Sequence, residues 1–371
     1  MKLQTIIIQI ARIKWFKEVL LIMLQEIINN TNKVYSKLAD DLSRKIYAAR
    51  IMNSLTYNYD YITSISDGFD AMKGLREQLQ LYIQSGKKII LDGAGYYGKS
   101  IRTTLNDINF ECFSDKNATD DAVLGLPVYK REIAARKYPD GVFVITSMVY
   151  DREIRQELCE LGVENILDFG KYILSHGGRK ETLHQYWDVL PFGHDEVIVD
   201  VGCFDGDTIL KYFEYVRTDY SKIYSFEPEP VQYKNCKEIS EAYKDWYVFD
   251  AAISDSRGKL YFTSNASCTK QDSLGDLCVD SITLDEFFMK LDKPTFIKMD
   301  IEGAEMNALR GCKHTIEKYS PKLAICVYHK PEDIFEIPQY ILSINPNYKM
   351  YLRHYTNLVN ETVLYCVNDE Y

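Results

Sequence analysis

The sequence contains no Cys-x-x-Cys pair and no dense run of lysine and arginine, and its apolar N-terminus, Met1 to Met23, is broken by Arg12, Lys14 and Lys17. Each absence removes a class of protein. Nine cysteines, an odd number scattered without metal-ligand spacing, fit small buried hydrophobes in a reducing compartment better than a zinc site or a disulfide framework. A formal net charge of −10 with no basic cluster leaves little to neutralise phosphates, which argues against nucleic acid as a partner. The interrupted N-terminus is followed by no small-residue cleavage site. It reads neither as a signal peptide nor as a membrane span, so a cytoplasmic location is expected.

What is present has the size and composition for more than one core. At 371 residues the chain is too long for one typical domain, and three segments are expected: a helical accessory segment over 1–85, a Rossmann-like α/β domain over 86–185 and a second α/β domain over 190–371. The first segment has almost no glycine or proline, and apolar residues recur at three and four spacing from Val34 to Met52. Its apolar stripe needs a partner. That partner is either the next domain or a second copy, which would make a homodimer through these helices.

Strand-like runs Lys88–Asp92, Phe110–Phe113, Val142–Thr146 and Asn165–Asp168 alternate with helical stretches, the pattern of a parallel sheet. After the first run comes Gly93-Ala-Gly95-Tyr-Tyr-Gly98, and Asp115 follows where a dinucleotide-binding fold puts its ribose acid. Such a turn suits a nucleotide or nucleotide-sugar, but it also suits any tight strand-to-helix junction, and Tyr96 and Tyr97 would crowd a dinucleotide.

The second α/β domain carries the denser signal. A buried strand ends Ile198-Val-Asp200 and breaks into Val201-Gly202-Cys203-Phe204-Asp205-Gly206, with Asp207 and Thr208 opening a helix. Without a Cβ the glycines let a ligand lie against the backbone, and Asp200 can receive a positive or hydroxylated group. No lysine is present to hold a γ-phosphate, so the turn suits a cofactor without a phosphate chain. Glu227, followed by Pro228, ends the next strand and is placed to accept both ribose hydroxyls. Asp250, before Ala251, ends the third and could accept from the exocyclic amine of adenine. Ribose and adenine without a phosphate clamp point to S-adenosyl-L-methionine.

Further along, Asp300, Glu302 and His329 fall at the ends of adjacent strands, above the same sheet edge. A hydroxyl acceptor benefits from a general base, and Asp300 or His329 is preferred for it. A divalent metal held by Asp300 and Glu302 is an alternative use of the same oxygens. Period two puts Lys298 on the face of Asp300, where it either binds the acceptor or pairs with Asp300 or Glu302. The polar loop Thr263–Gly275 could act as a lid, and Arg353 and His354 could bind acceptor hydroxyls.

The order Asp200-x-Gly202, Gly206, Phe226-Glu-Pro228, Asp250-Ala-Ala, Ile282-Thr-Leu-Asp285, Lys298-x-Asp300-x-Glu302-Gly-Ala-Glu305 and Leu309-Arg-Gly311 resembles the FkbM-type methyltransferases. The resemblance covers nearly all of the second domain, to Tyr351-Leu-Arg-His354 and Glu361-Thr-Val-Leu-Tyr365. It implies a class I fold and S-adenosyl-L-methionine-dependent O-methylation, with a sugar, glycan or related small molecule as acceptor. By position it makes Asp200, Gly202, Gly206, Glu227 and Asp250 cofactor contacts; with their neighbours Cys203, Asp207, Thr208, Pro228 and Ala251 these are the expected cofactor set, and the strand-end reading makes Asp300, Glu302, His329 and Lys298 the expected catalytic set. Cys203-Phe204 depart from the small or amide residues usual there, and Phe204 narrows the expected pocket. Two competing readings are a nucleotide-sugar oxidoreductase or isomerase working through Gly93–Gly98, and a non-catalytic glycan-assembly subunit.

Overall fold

A computed structural model describes residues 25, 27–65, 71–118, 121–147, 150–169, 184–216, 219–265, 268–271, 277–289, 291, 293–356 and 359–368. Two α/β sheets organise the chain, as the alternating strand and helix runs predict. In the first, β1 (Ile89–Asp92), β2 (Phe110–Ser114), β3 (Ala122–Val123), β4 (Leu126–Tyr129), β5 (Val142–Ile145) and β6 (Asn165–Asp168) lie in the order β3-β4-β2-β1-β5-β6. Central β5 and β1, the latter apolar up to Asp92, are buried along their whole length, because helices cover both faces of a parallel sheet.

The second sheet comprises β7 (Glu196–Val201), β8 (Tyr220–Phe226), β9 (Trp246–Phe249), β14 (Phe296–Met299), β15 (Lys322–Cys326), β16 (Tyr348–His354) and β17 (Thr362–Asn368). Its order is β16-β17-β15-β14-β7-β8-β9. Strands β7, β8, β9, β14 and β15 run parallel, and β17 enters antiparallel between β15 and β16. The chain leaves β7 towards β9 and returns on the other side through β14, so the order reverses between β7 and β14. Ligands of open α/β sheets bind at such a point, beyond the carboxyl ends of the strands.

A smaller sheet is inserted between β9 and β14: β10 (Ala252–Ile253), β11 (Gly258–Asn265), β12 (Cys268–Gln271) and β13 (Leu277–Ile282), in the order β10-β13-β11-β12. The expected lid, Thr263–Gly275, is partly the β11–β12 hairpin, and its residues 266–267 and 272–275 lie outside the described residues. The helical run expected before residue 25 lies outside them too.

Helix 41–56 (Asp41–Thr56) joins the two sheets. Asp40 caps it by accepting from the Ser43 amide at 2.7 Å, and Tyr57 ends it in the left-handed region with φ 56. Leu38 bridges to Met350, Ser43 Oγ accepts from the Leu352 amide at 2.9 Å, and Arg353 pairs with Asp40 at 2.8 Å. These contacts cover edge strand β16, which would otherwise present unpaired backbone groups. They also assign Arg353 a structural role in place of the expected acceptor contact. His354 likewise is 4% exposed and bonded to Thr362 Oγ1 at 2.8 Å. Towards the first sheet, the Tyr59 amide donates to Thr104 Oγ1 at 2.7 Å. One hydrophobic core runs from Val34 and Leu38 through Ile89, Leu91 and Val142 to Val199, Ile297 and Leu323.

Candidate active site

The turn after β7 is shaped by the chain's own backbone. Gly202 has φ +79, and a Cβ there would stand 2.1 Å from the carbonyl oxygen of Asp300 at the end of β14. The glycine is needed because two adjacent strand ends converge, a requirement separate from the expected approach of a ligand. Gly206 leads into the helix Asp207–Tyr215, where Asp207 pairs with Lys211 at 2.5 Å and the Thr208 carbonyl accepts from Trp187 Nε1 at 3.1 Å. Cys203 is 1% exposed with its sulfur 3.4 Å from that of Cys236, so its side chain belongs to the core and its backbone to the turn. Phe204 sits at φ 49 with 45% of its surface exposed, at the rim.

Asp200 and Lys298 lie side by side because β7 and β14 pair in register. Lys298 Nζ is 3.0 Å from Asp200 Oδ1 and donates to the Gly202 carbonyl at 2.7 Å. Burial favours the neutral amine, but Asp200, and beyond it Asp300, outweigh this and push the lysine pKa up. The positive group that meets Asp200 is thus the chain's own ammonium. Lys298, expected to bind the acceptor or to pair with Asp300 or Glu302, is committed one strand away, where it clamps the glycine turn.

Glu227 reaches the same turn from β8. Its two oxygens accept from the amides of Phe204 and Glu229, each at 2.9 Å. Burial pushes the carboxyl pKa up and these two amides pull it back. Each oxygen keeps a lone pair for a further donor. Pro228 follows it, and β9 ends beyond it with exposed Asp250 and buried Ala251. The pKa of Asp250 is raised, by desolvation and by the charge of Asp280.

On the other side of the turn, Asp300 stands at the centre of a polar cluster. Tyr186 donates to its Oδ2 at 2.8 Å and Tyr328 to its Oδ1 at 3.2 Å. His329 Nε2 is 3.5 Å from Asp300 and 3.6 Å from Glu302, while Nδ1 is 2.9 Å from Glu305. Glu305 is fully buried; Oε1 also accepts from the Ile301 amide, and Oε2 has no hydrogen-bond partner. Burial alone would lower the imidazole pKa, but Glu305, Asp300 and Glu302 raise it to about 9. Desolvation would raise the Asp300 pKa, yet Lys298 and His329 hold it below the ordinary carboxylate range. At neutral pH the cluster is therefore an ionised Asp300 beside an imidazolium.

Asp300, Glu302 and His329 come together as their strand-end positions predict, whereas Lys298 turns to Asp200. Three members carried no assigned role in the sequence. Glu305 stands inside the quoted Lys298–Glu305 motif, one turn of chain after Asp300, and Tyr328 directly precedes His329. Tyr186 comes from the connector between the sheets and has no local signal. For a cation, the oxygens and nitrogen within 4.8 Å of one another belong to Asp300, Glu305 and His329, so Glu305 replaces the expected Glu302 in that set.

The first glycine turn is internally satisfied. Asp115, expected to meet a ribose, accepts from the Ala94 amide at 3.0 Å and the Asn117 amide at 2.9 Å. A Cβ at Gly98 would be 2.0 Å from the Gly93 carbonyl oxygen, so that glycine serves strand-to-helix packing.

A doubly wound seven-stranded sheet with an antiparallel strand before its edge, and acids at the ends of β7, β8 and β14, defines a Rossmann-like class I methyltransferase fold. Within that class, residues 200–354 match the family described as the Methyltransferase FkbM domain. The curated 2-O-methyltransferase NoeI of Sinorhizobium fredii (strain NBRC 101917 / NGR234) is 26% identical over a match covering 33% of this chain and 60% of that protein. The chain thus matches less than two thirds of that relative's length. Among solved structures, Methyltransferase FkbM from Methylobacillus flagellatus KT is 19% identical with a TM-score of 0.47, covering 88% of this chain and 99% of that one. Aeropyrum pernix fibrillarin in complex with S-adenosyl-L-methionine is 9% identical with a TM-score of 0.33, covering 48% and 69%.

Proposed function

We propose that the chain methylates a hydroxyl of a sugar, glycan or related small molecule, using S-adenosyl-L-methionine. The observation that carries this is one sheet edge: the Gly202–Gly206 turn lies between Glu227, a carboxylate held by two backbone amides, and an ionised carboxylate, Asp300. Bound there, the cofactor supplies an electrophilic methyl group on a sulfonium. Glu227 receives the ribose hydroxyls on its remaining lone pairs, Asp250 receives the adenine amine, and Pro228 and Ala251 line the ring. The backbone of Gly202 and Cys203 faces the methionine end.

Asp300 holds the acceptor hydroxyl and takes its proton as the new O–CH3 bond forms and the S–CH3 bond breaks. A carboxylate below its ordinary range suffices, because the hydroxyl proton becomes strongly acidic as the oxygen is methylated. His329 carries a proton at neutral pH and so orients and stabilises Asp300, which selects Asp300 between the two candidate bases. Tyr186 and Tyr328 fix the carboxylate's direction. Alignment of this kind supplies roughly 7 to 11 kcal/mol of a barrier, and a base about 10² to 10⁴ in rate.

The unpartnered Oε2 of Glu305 favours a second reading of the same cluster. Asp300, Glu305 and His329 would hold a divalent cation, which would polarise the acceptor hydroxyl. Calorimetry with S-adenosyl-L-methionine tests the first half of the proposal: absence of binding heat for the intact chain sinks it. Mass spectrometry of sugars from cells with and without the gene tests the second, and no sugar losing a methyl mass would remove the acceptor class.

A further inference from the structure

The acceptor side of the site is completed by residues far from it in sequence. Arg50, on the buried face of helix 41–56, is 2% exposed and has no carboxylate at ion-pair distance among the described residues. Its Nη1 donates to the Val359 carbonyl, and its Nε has no hydrogen-bond partner. A buried guanidinium with no carboxylate in contact is costly, Asp333 acting on it only from beyond ion-pair distance, and its planar fork has the shape that takes a carboxylate or phosphate through two parallel bonds.

What surrounds Arg50 links it to the Asp300 cluster. One helical turn on, Asn53 accepts from the hydroxyl of Tyr96, at the start of the helix Tyr96–Thr104 that follows the first glycine turn. On the opposite side Tyr328 binds Asp300. Arg50 lies within electrostatic reach of Tyr96, Tyr97, Asp333 and Tyr328, and Tyr97 within reach of Arg50, Glu361 and Glu302. Glu361 in turn accepts from Gln185 at 2.6 Å, next to the Tyr186 that binds Asp300. Tyr96 and Tyr97, at the glycine turn of the first sheet, thus lie within electrostatic reach of Arg50, and Tyr97 also of Glu302. Of the nearby cations, Lys298 is held by Asp200 and His329 by Glu305, and Lys330, beside Gly303, is exposed.

We propose that the acceptor is an anionic sugar, a uronate or a sugar phosphate, whose charged group pairs with Arg50 while its hydroxyl lies at Asp300, walled by Tyr96 and Tyr97. This deepens the methyltransferase reading and rests on it. Carboxylates of Glu302 and Glu361 accept from sugar hydroxyls, and Arg50 supplies the matching positive end. The tyrosines that would crowd a dinucleotide become the walls of the acceptor chamber.

The test measures the melting temperature of the full chain with S-adenosylhomocysteine present and glucuronate, glucose 1-phosphate or glucose as probe. A rise of a few degrees with at least one charged probe and none with glucose is expected. The responding arm tells carboxylate from phosphate. Arg50→Met should weaken the charged probe by about 10- to 100-fold, the range for losing a hydrogen-bonded ion contact, with Arg50→Lys in between. Tyr97→Phe keeps the ring and guards against a misfolded Arg50 variant; it should weaken the same probe by a smaller factor. Silence towards both charged probes, an equal response to glucose, or unchanged responses in the Arg50 variants overturns the proposal. Calorimetry with S-adenosylhomocysteine on the wild type separates the two levels: no heat there overturns the methyltransferase reading itself.

Discussion

Glu227 and Asp300 sit on either side of one glycine turn and should fail in different ways. Glu227→Ala removes the acceptor of the Phe204 and Glu229 amides as well as the proposed diol contact, so cofactor affinity should fall by roughly 10- to 100-fold in calorimetry. Asp300→Asn keeps the hydrogen bond from Tyr328 and loses the proposed base; kcat should fall about 10²- to 10⁴-fold with cofactor affinity nearly unchanged. An equal loss of affinity in both variants would show that the two acids do not divide binding from proton transfer. His329 bears on stability as well. Its pKa is raised to about 9 in the folded chain from 6.5, so its contribution is complete below pH 6.5 and is lost as pH rises through about 9. On the order of 3 kcal/mol is at stake. The melting temperature of the wild type should therefore drop more steeply over that window than that of His329→Gln, and parallel curves would remove the imidazolium from the argument.

At the scale of elements, strand ends were legible and their partners were not. Mainly apolar runs closed by an acid locate β1, β6, β7, β8 and β14 in the sequence, because a buried parallel strand is largely apolar and its carboxyl end is where polar groups can surface. Lys298 was placed on the correct face by period two, but its partner is set by the register of β14 against β7, which no local pattern encodes. Arg353 and His354 looked like ligand contacts because both are polar at a strand end. They are consumed by Asp40 and Thr362, which only the return of helix 41–56 to β16 explains. That return can be tested. Asp40 is at once the helix cap and the partner of Arg353, which together hold its pKa near 2 despite burial. Asp40→Ala should lower stability by about 1 kcal/mol, the usual cost of a lost cap, since the ion pair is partly exposed and screened. An unchanged denaturation midpoint would mean the helix is held by its apolar face alone.

The whole molecule behaves, on its packing, as one body with a site at its seam. The hydrophobic core passes without a break from helix 41–56 through the first sheet into the second, and polar anchors follow the same route: Tyr59 to Thr104, Tyr96 to Asn53, Arg50 to Val359. A segment read from sequence as an accessory cover is therefore the joint between two α/β sheets, because its buried face carries Ile46, Tyr47, Arg50 and Asn53 towards both. Such continuity should make unfolding cooperative across the chain, so calorimetry should record one transition whose van't Hoff and calorimetric enthalpies agree. Asn53→Ala removes the acceptor of Tyr96 and leaves both sheets intact. It should broaden or split that transition while the cofactor still binds, and it should weaken the acceptor, whose chamber depends on the same joint. Two separate transitions already present in the wild type would mean that the sheets unfold independently and that the seam is too loose to hold an acceptor between them.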